Sequence, residues 1–416
     1  MSSIASSIAV AMYSVYHPGY LPTAWQLFVG YFSVTWMACS IVLFANRALP
    51  MVNNIGLFFI LAGVFVTILV CAITPHINGS GYATSSFVWT NWQNSTGWDS
   101  NGFVFLAGML NGAFAIGTPD CVSHLAEEIP NPKRNVPLAI GAQMVIGFIT
   151  PFLYMVAIFY AISNLTDVTN ATSTSPIAAL AEIYAQATSS NGGTIGLLFI
   201  IFVPIFCTLI GTYITAGRCL WSLARDNAVP FSCFVGTISP RFMNPFNATA
   251  VCGIFITILG AIAIASSTAF NAFVSSFVVL STLSYLAAIL PFIFTRRFSR
   301  AAQEPGPYNN SMIPGPYQMG HRAGYFVNIV SCAYIIVFVV IFCFPSALPV
   351  SKINMNYSAV IVCGISAFAA FWWLLRGKTY IGPKLLTHEG VSSEAVRTVE
   401  STSANVEKQK QVSTQA

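Results

Sequence analysis

Long apolar runs alternate with short polar ones along most of the chain, and the runs have the length of membrane spans. Crossing about 30 Å of hydrocarbon takes about 20 apolar residues in a helix. Runs of that size predict nine transmembrane helices, near residues 24–45, 55–74, 102–122, 138–162, 195–216, 248–266, 272–295, 324–345 and 357–376. A tenth run, Ile4 to Tyr16, is too short to cross alone and has no basic segment before it, so it reads as the second half of a helix rather than a signal peptide. In the polar stretch 163–194, Pro176 to Ala187 carries apolar residues at helical spacing, which predicts a short surface helix. From Thr387 the chain turns to Ser, Thr, Gln, Glu and Lys. A membrane domain over 1–386 is therefore expected to end in a disordered tail, 387–416.

One run is damaged in its middle. The apolar helix that begins near Phe103 meets Gly117-Thr118-Pro119-Asp120, resumes, and leaves the membrane at Glu127-Glu128 and Lys133-Arg134. An unpaired backbone group in hydrocarbon costs several kcal/mol, so such a break survives only buried in protein or facing a water-filled cavity. Broken helices of this kind mark the solute and ion sites of secondary transporters. A carrier with its site at residues 114–120 is the expectation.

Composition narrows the class. Of 416 residues, 56% are hydrophobic and 7% charged, too few charges to cover a soluble globule, so the fold class is all-α integral membrane. The net charge of +5 is spread thinly through the loops, which argues against a nucleic-acid partner. With the carboxyl tail cytosolic, inner loops hold thirteen basic residues, from Arg47 to Lys384, and outer loops hold Lys352 alone. Four glycosylation sequons, at Asn78, Asn94, Asn164 and Asn170, fall in the two long outer loops and agree weakly with that orientation. The ten cysteines form no paired framework, and no metal-ligand spacing or Gly-rich phosphate loop occurs, so no disulfide, metal or cofactor is expected, nor an enzyme.

At the break, Gly117 and Thr118 can offer backbone groups to a solute, while Asp120 is either a counter-charge and proton site or simply a favourable residue at a helix start, with Thr118 as N-cap. His124, four residues on, shares a helical face with Asp120 and could share its proton, or could merely be solvated at the boundary. Glu127 and Glu128 face the inner mouth as gating or loop-ordering acids. A quaternary ammonium offers no N–H donor, so aromatic faces would have to recognise it. The candidates are Phe114, Tyr213 and Phe277, with Tyr13 and Tyr285 behind them, each alternatively lipid-facing or core filler. The hydroxyls at Ser275, Ser276, Ser281, Thr282 and Ser284 read first as small residues that let helices pack closely.

Phe114 to Pro137, with Asp120, His124, Glu127-Glu128, Pro132 and Pro137, resembles the sixth helix and following loop of amino acid-polyamine-organocation permeases. Arg218, Leu223-Ala224-Arg225-Asp226 and Pro230-Phe231 resemble the loop after their eighth helix. His17-Pro18 through Trp25-Gln26, and Arg47 with Leu49-Pro50, look like the fungal branch that carries amino acids, GABA and choline. The resemblance covers nearly all of residues 1–385. It implies two inverted five-helix repeats, the second over 102–295, and two further helices over 324–376. So aligned, the ten runs match helices three to twelve, the third shortened. The first helix, which in such permeases holds the substrate's carboxylate or ammonium, is outside the sequence, and a shortened gene model is the expectation. The function implied is secondary transport of a small amino-containing solute across the plasma membrane, with a coupling proton possible. The rival reading is a transport-inactive receptor or regulatory partner on the same scaffold.

Overall fold

The computed structural model describes residues 1–380 apart from 18, 21, 116, 127, 128, 295–315, 318 and 353. The expected tail, 387–416, lies outside the described residues. Fourteen helices follow in order: α1 (Ser2–Tyr16), α2 (Ala24–Phe44), α3 (Leu49–Ile77), α4 (Ser85–Trp89), α5 (Asn101–Ala115), α6 (Pro132–Tyr160), α7 (Leu165–Thr174), α8 (Pro176–Thr188), α9 (Asn191–Arg225), α10 (Ser232–Val235), α11 (Phe246–Ala265), α12 (Ser267–Phe294), α13 (His321–Ile341) and α14 (Ser358–Arg376). Among the described residues nine segments are long and apolar enough to span a membrane, and they coincide with the nine predicted runs. The protein is an all-α, multi-pass membrane protein.

The helix boundaries follow from local chemistry. Thr23 and Gln26 form a reciprocal capping box at the start of α2. Ser175 accepts from the Ala178 N–H, and Pro176 takes the first turn of α8, where its missing donor costs nothing. Thus the short helix expected over 176–187 forms, preceded by a second one, α7, which polar residues had hidden.

The centre of the molecule is built from α1, α2, α3, α9 and α11. One cluster joins Ala5, Ala38, Cys39, Leu209, Ile210 and Tyr213; a second joins Ile8 with Tyr184, Leu197 and Leu198. Without a hydrophobic drive between helices in lipid, close backbone approach carries the packing. Gly260 shows this: a Cβ there would overlap the Tyr31 ring, whose hydroxyl reaches across to the Ile256 carbonyl at 2.8 Å. A more peripheral group has α12 at its centre, with α5, α13 and α14 against it. Its cluster joins Val278, Val279 and Phe342 to Leu110, Ala113 and Phe114 of α5.

Candidate functional site

α5 ends at Ala115, as the sequence break predicts. The Gly117 N–H closes a tight turn onto the Phe114 carbonyl at 3.3 Å, so that donor is spent inside the chain rather than offered to a solute. Thr118 follows at φ 56°, ψ 51°, a left-handed conformation that is uncommon for a β-branched residue and costs about 1–3 kcal/mol. Thr118 is the N-cap of the next element, as expected, but through its backbone: the Cys121 N–H bonds its carbonyl, and its side chain makes no capping bond. The chain then resumes as a 3-10 helix, Pro119–Leu125, and not as the α-helix the apolar pattern implied. Proline leads this turn, where its missing N–H is no loss. Ser123 Oγ donates to the Asp120 carbonyl at 2.7 Å, offering the backbone a local alternative to α-helical bonding.

Asp120 is the hub of the site. Tyr285 of α12 donates its hydroxyl to Asp120 Oδ1 at 2.6 Å. His124 Nε2 stands 3.4 Å from the other oxygen, Oδ2. The Asp–His contact forms although a 3-10 turn aligns positions three apart better than four, which explains its length. Both side chains keep about a third of their surface exposed, at 35% and 36%. A carboxylate held between a phenol and an imidazole can receive a proton and pass it on, or can face a cation.

One turn before the break, Phe114 stacks on Phe277 of α12, with ring centroids 6.0 Å apart and planes 26° apart. The Phe277 ring also lies over Gly117, within 3.6 Å of where a Cβ would stand. The break is thus held to α12 at two points, an aromatic stack before it and a hydrogen-bonded carboxylate after it.

The structure brings together Phe114, Gly117, Thr118, Asp120, His124 and Phe277 from the sequence-derived set. Tyr213 is 1% exposed in the cluster of α1, α2 and α9, on which Leu125 of the 3-10 helix also packs. Glu127 and Glu128 lie outside the described residues. Tyr13, near the end of α1, stacks on His17 just beyond that helix, with centroids 4.0 Å apart. In the sequence Tyr285 offers only an aromatic face; its role as donor to Asp120 joins positions 165 apart, and no local pattern signals it. On the same helix the hydroxyls of Ser276, Thr282 and Ser284 bond back to carbonyls of α12 itself, in keeping with small packing residues.

The description of the amino acid permease family matches residues 1–366. A choline transporter of Saccharomyces cerevisiae is 31% identical over 379 residues, covering 90% of this chain and 63% of that protein. A 7-keto 8-aminopelargonic acid transporter of the same yeast is 26% identical, covering 86% of this chain and 65% of its own length. Amino-acid permease 2 of Neurospora crassa is 30% identical, covering 75% of this chain and 54% of its own. The chain therefore spans less than two thirds of the length of these relatives. With the family match running through all but the last part of the membrane domain, the chain belongs to the amino acid permease family.

Proposed function

We propose that this protein is a secondary transporter of a small amino-containing solute, an amino acid or a choline-like cation, which binds at the break between α5 and the 3-10 helix. The observation that carries the reading is the pairing of an aromatic stack, Phe114 on Phe277, with a carboxylate, Asp120, on the two sides of an unwound segment. Aromatic faces and a nearby carboxylate are the chemistry that recognises an ammonium group, the faces contributing about 0.5–2 kcal/mol each. The names of the relatives support the substrate class. Choline is favoured over a neutral amino acid by the aromatic pair, since a quaternary ammonium can bind a ring but cannot donate a hydrogen bond.

Energy for a cation is available from the membrane potential, about 2.3 kcal/mol per charge per 100 mV. Proton coupling adds a second source, with Asp120 as the proton's site and His124 and Tyr285 as its neighbours. Transport proceeds by alternating access in the plasma membrane, with the carboxyl tail cytosolic, the orientation that the positions of the basic residues favour.

Uptake of radiolabelled choline and of a mixed amino acid pool by a permease-deficient yeast tests this directly, comparing this chain with its Asp120→Asn variant at matched surface expression. Choline uptake that Asp120→Asn abolishes is expected. No uptake of either substrate by a surface-expressed chain would turn the reading toward a receptor.

A further inference from the structure

A second surface stands apart from the break, in residues 226–245 between α9 and α11. Two large apolar side chains stand far out of it: Phe231 is 84% exposed and Met243 76%. Both occupy left-handed backbone positions, φ 56° and 52°, that neither residue type favours. The segment is not loose. Phe231 accepts the Phe234 and Val235 N–H groups at the start of α10, and Val235 is buried with Ala224 and Ala248. Trp221 Nε1 donates to the Gly236 carbonyl at 3.0 Å. Buried Asn244 donates to both the Val42 and Leu43 carbonyls at the end of α2. The chain is thus pinned so that Phe231 and Met243 point outward and cannot fold in.

Position and charge say what they meet. Three apolar helices end here, α2 at Phe44, α9 at Arg225 and α11 at Phe246. At 1.5 Å per residue α2, with 21 residues, and α11, with 20, are each about 30 Å long, the thickness of the hydrocarbon core, so the segment pinned to their ends lies in the headgroup layer. Phe44 packs edge-on against Phe242 and Phe246, and the Arg241 guanidinium lies 5.4 Å from the Phe242 ring. Arg47, Arg225 and Arg241 are exposed around this cluster, and Asp226, beside Arg225, is the one carboxylate from Arg218 to Phe246. Apolar side chains with arginines at headgroup depth match an anionic leaflet, acyl boundary against the first and phosphates against the second.

We infer that the α9–α11 segment is a docking surface for anionic phospholipid, with Phe231 and Met243 entering the acyl boundary and Arg47 and Arg241 holding headgroup phosphates. It is independent of the transport reading and needs only the membrane fold.

The test places a benzoylphenylalanine photo-cross-linker at position 231 of the full chain, in vesicles of phosphatidylcholine with or without phosphatidylserine, and reads lipid adducts by mass spectrometry. The same probe at Trp92, on the opposite side of the membrane and away from these arginines, controls for folding and reconstitution. Phosphatidylserine is expected to raise adducts at 231 about thirtyfold, the effect of two arginines near an anionic surface. The Arg47→Gln and Arg241→Gln double variant should remove that rise, and the Trp92 probe should not show it. Equal adducts in both vesicles, or cross-links to protein alone, would overturn the inference.

Discussion

Tyr285 and Asp120 are joined across 165 positions by a 2.6 Å hydrogen bond, the shortest polar link between the break and α12 among those described. Hydrogen bonds to a charged partner contribute about 1.5–3 kcal/mol when buried. Asp120 remains about a third exposed, so water can replace the phenol and the net contribution falls to about 1 kcal/mol. Tyr285→Phe is therefore expected to destabilise the detergent-solubilised protein by about 1 kcal/mol. In a double-mutant cycle with Asp120→Ala most of that effect should vanish, because the acceptor is already gone. Unchanged effects in the two backgrounds would show that the bond contributes nothing. Phe277 makes a different claim. If the Phe114–Phe277 pair faces an ammonium, Phe277→Ala should raise the KM for choline by about tenfold, a loss within the 0.5–2 kcal/mol of one aromatic face. Phe277→Trp should keep it low. An alanine variant with wild-type KM would make the stack a packing contact only.

At the scale of helices, Asn244 bonds two carbonyls that α2 leaves open at its carboxyl end, Val42 and Leu43. Its side chain is buried with them, so Asn244→Ala strands acceptors away from water and should cost about 1–3 kcal/mol, read as a lowered thermal midpoint in detergent. Asn244→Asp, which keeps the size but loses the donor, should be no better. This contact also shows where sequence reading stops. The nine spans were legible because twenty apolar residues in a row have few other readings, and the break was legible because Gly, Thr, Pro and Asp are expensive inside such a run. Asn244 has the same letters as any loop asparagine, and only the fold brings it under α2. The 3-10 form of Pro119–Leu125 was hidden for a related reason: the apolar pattern of seven residues cannot separate a period of 3.0 from one of 3.6. Tyr213 shows the opposite ambiguity, since its position late in a span fits a pathway as well as it fits the core it occupies.

At the scale of the whole molecule, α13 and α14 lean on α12, whereas the centre lies among α1, α2, α3, α9 and α11. Within the α12 group a second tie lies on the side where α3 ends. The loop before α5 meets the loop between α13 and α14 through a backbone bond from the Leu348 N–H to the Thr96 carbonyl at 2.7 Å and from Trp98 Nε1 to the Pro345 carbonyl at 3.3 Å. Trp98 also packs between Phe103 of α5 and Phe344, with ring centroids 4.7 and 6.2 Å away, and Phe103 meets Phe344 edge-on. Gly97 lies so close to the Leu348 carbonyl that a side chain there would displace one loop from the other. The first half of the broken helix is therefore anchored twice, to α12 near its end and to the α13–α14 loop at its start. Removing the indole should release the second anchor and leave the centre alone. Trp98→Ala forfeits a hydrogen bond and two aromatic contacts, together about 2–3 kcal/mol, and each 1.4 kcal/mol is tenfold in an opening equilibrium. Hydrogen exchange at the Leu348 amide should then quicken by about 30- to 100-fold, while amides of α2 and α9 keep their protection. If exchange instead quickens throughout, the two regions unfold as one unit, and the break is held by the molecule as a whole rather than by a separable strap.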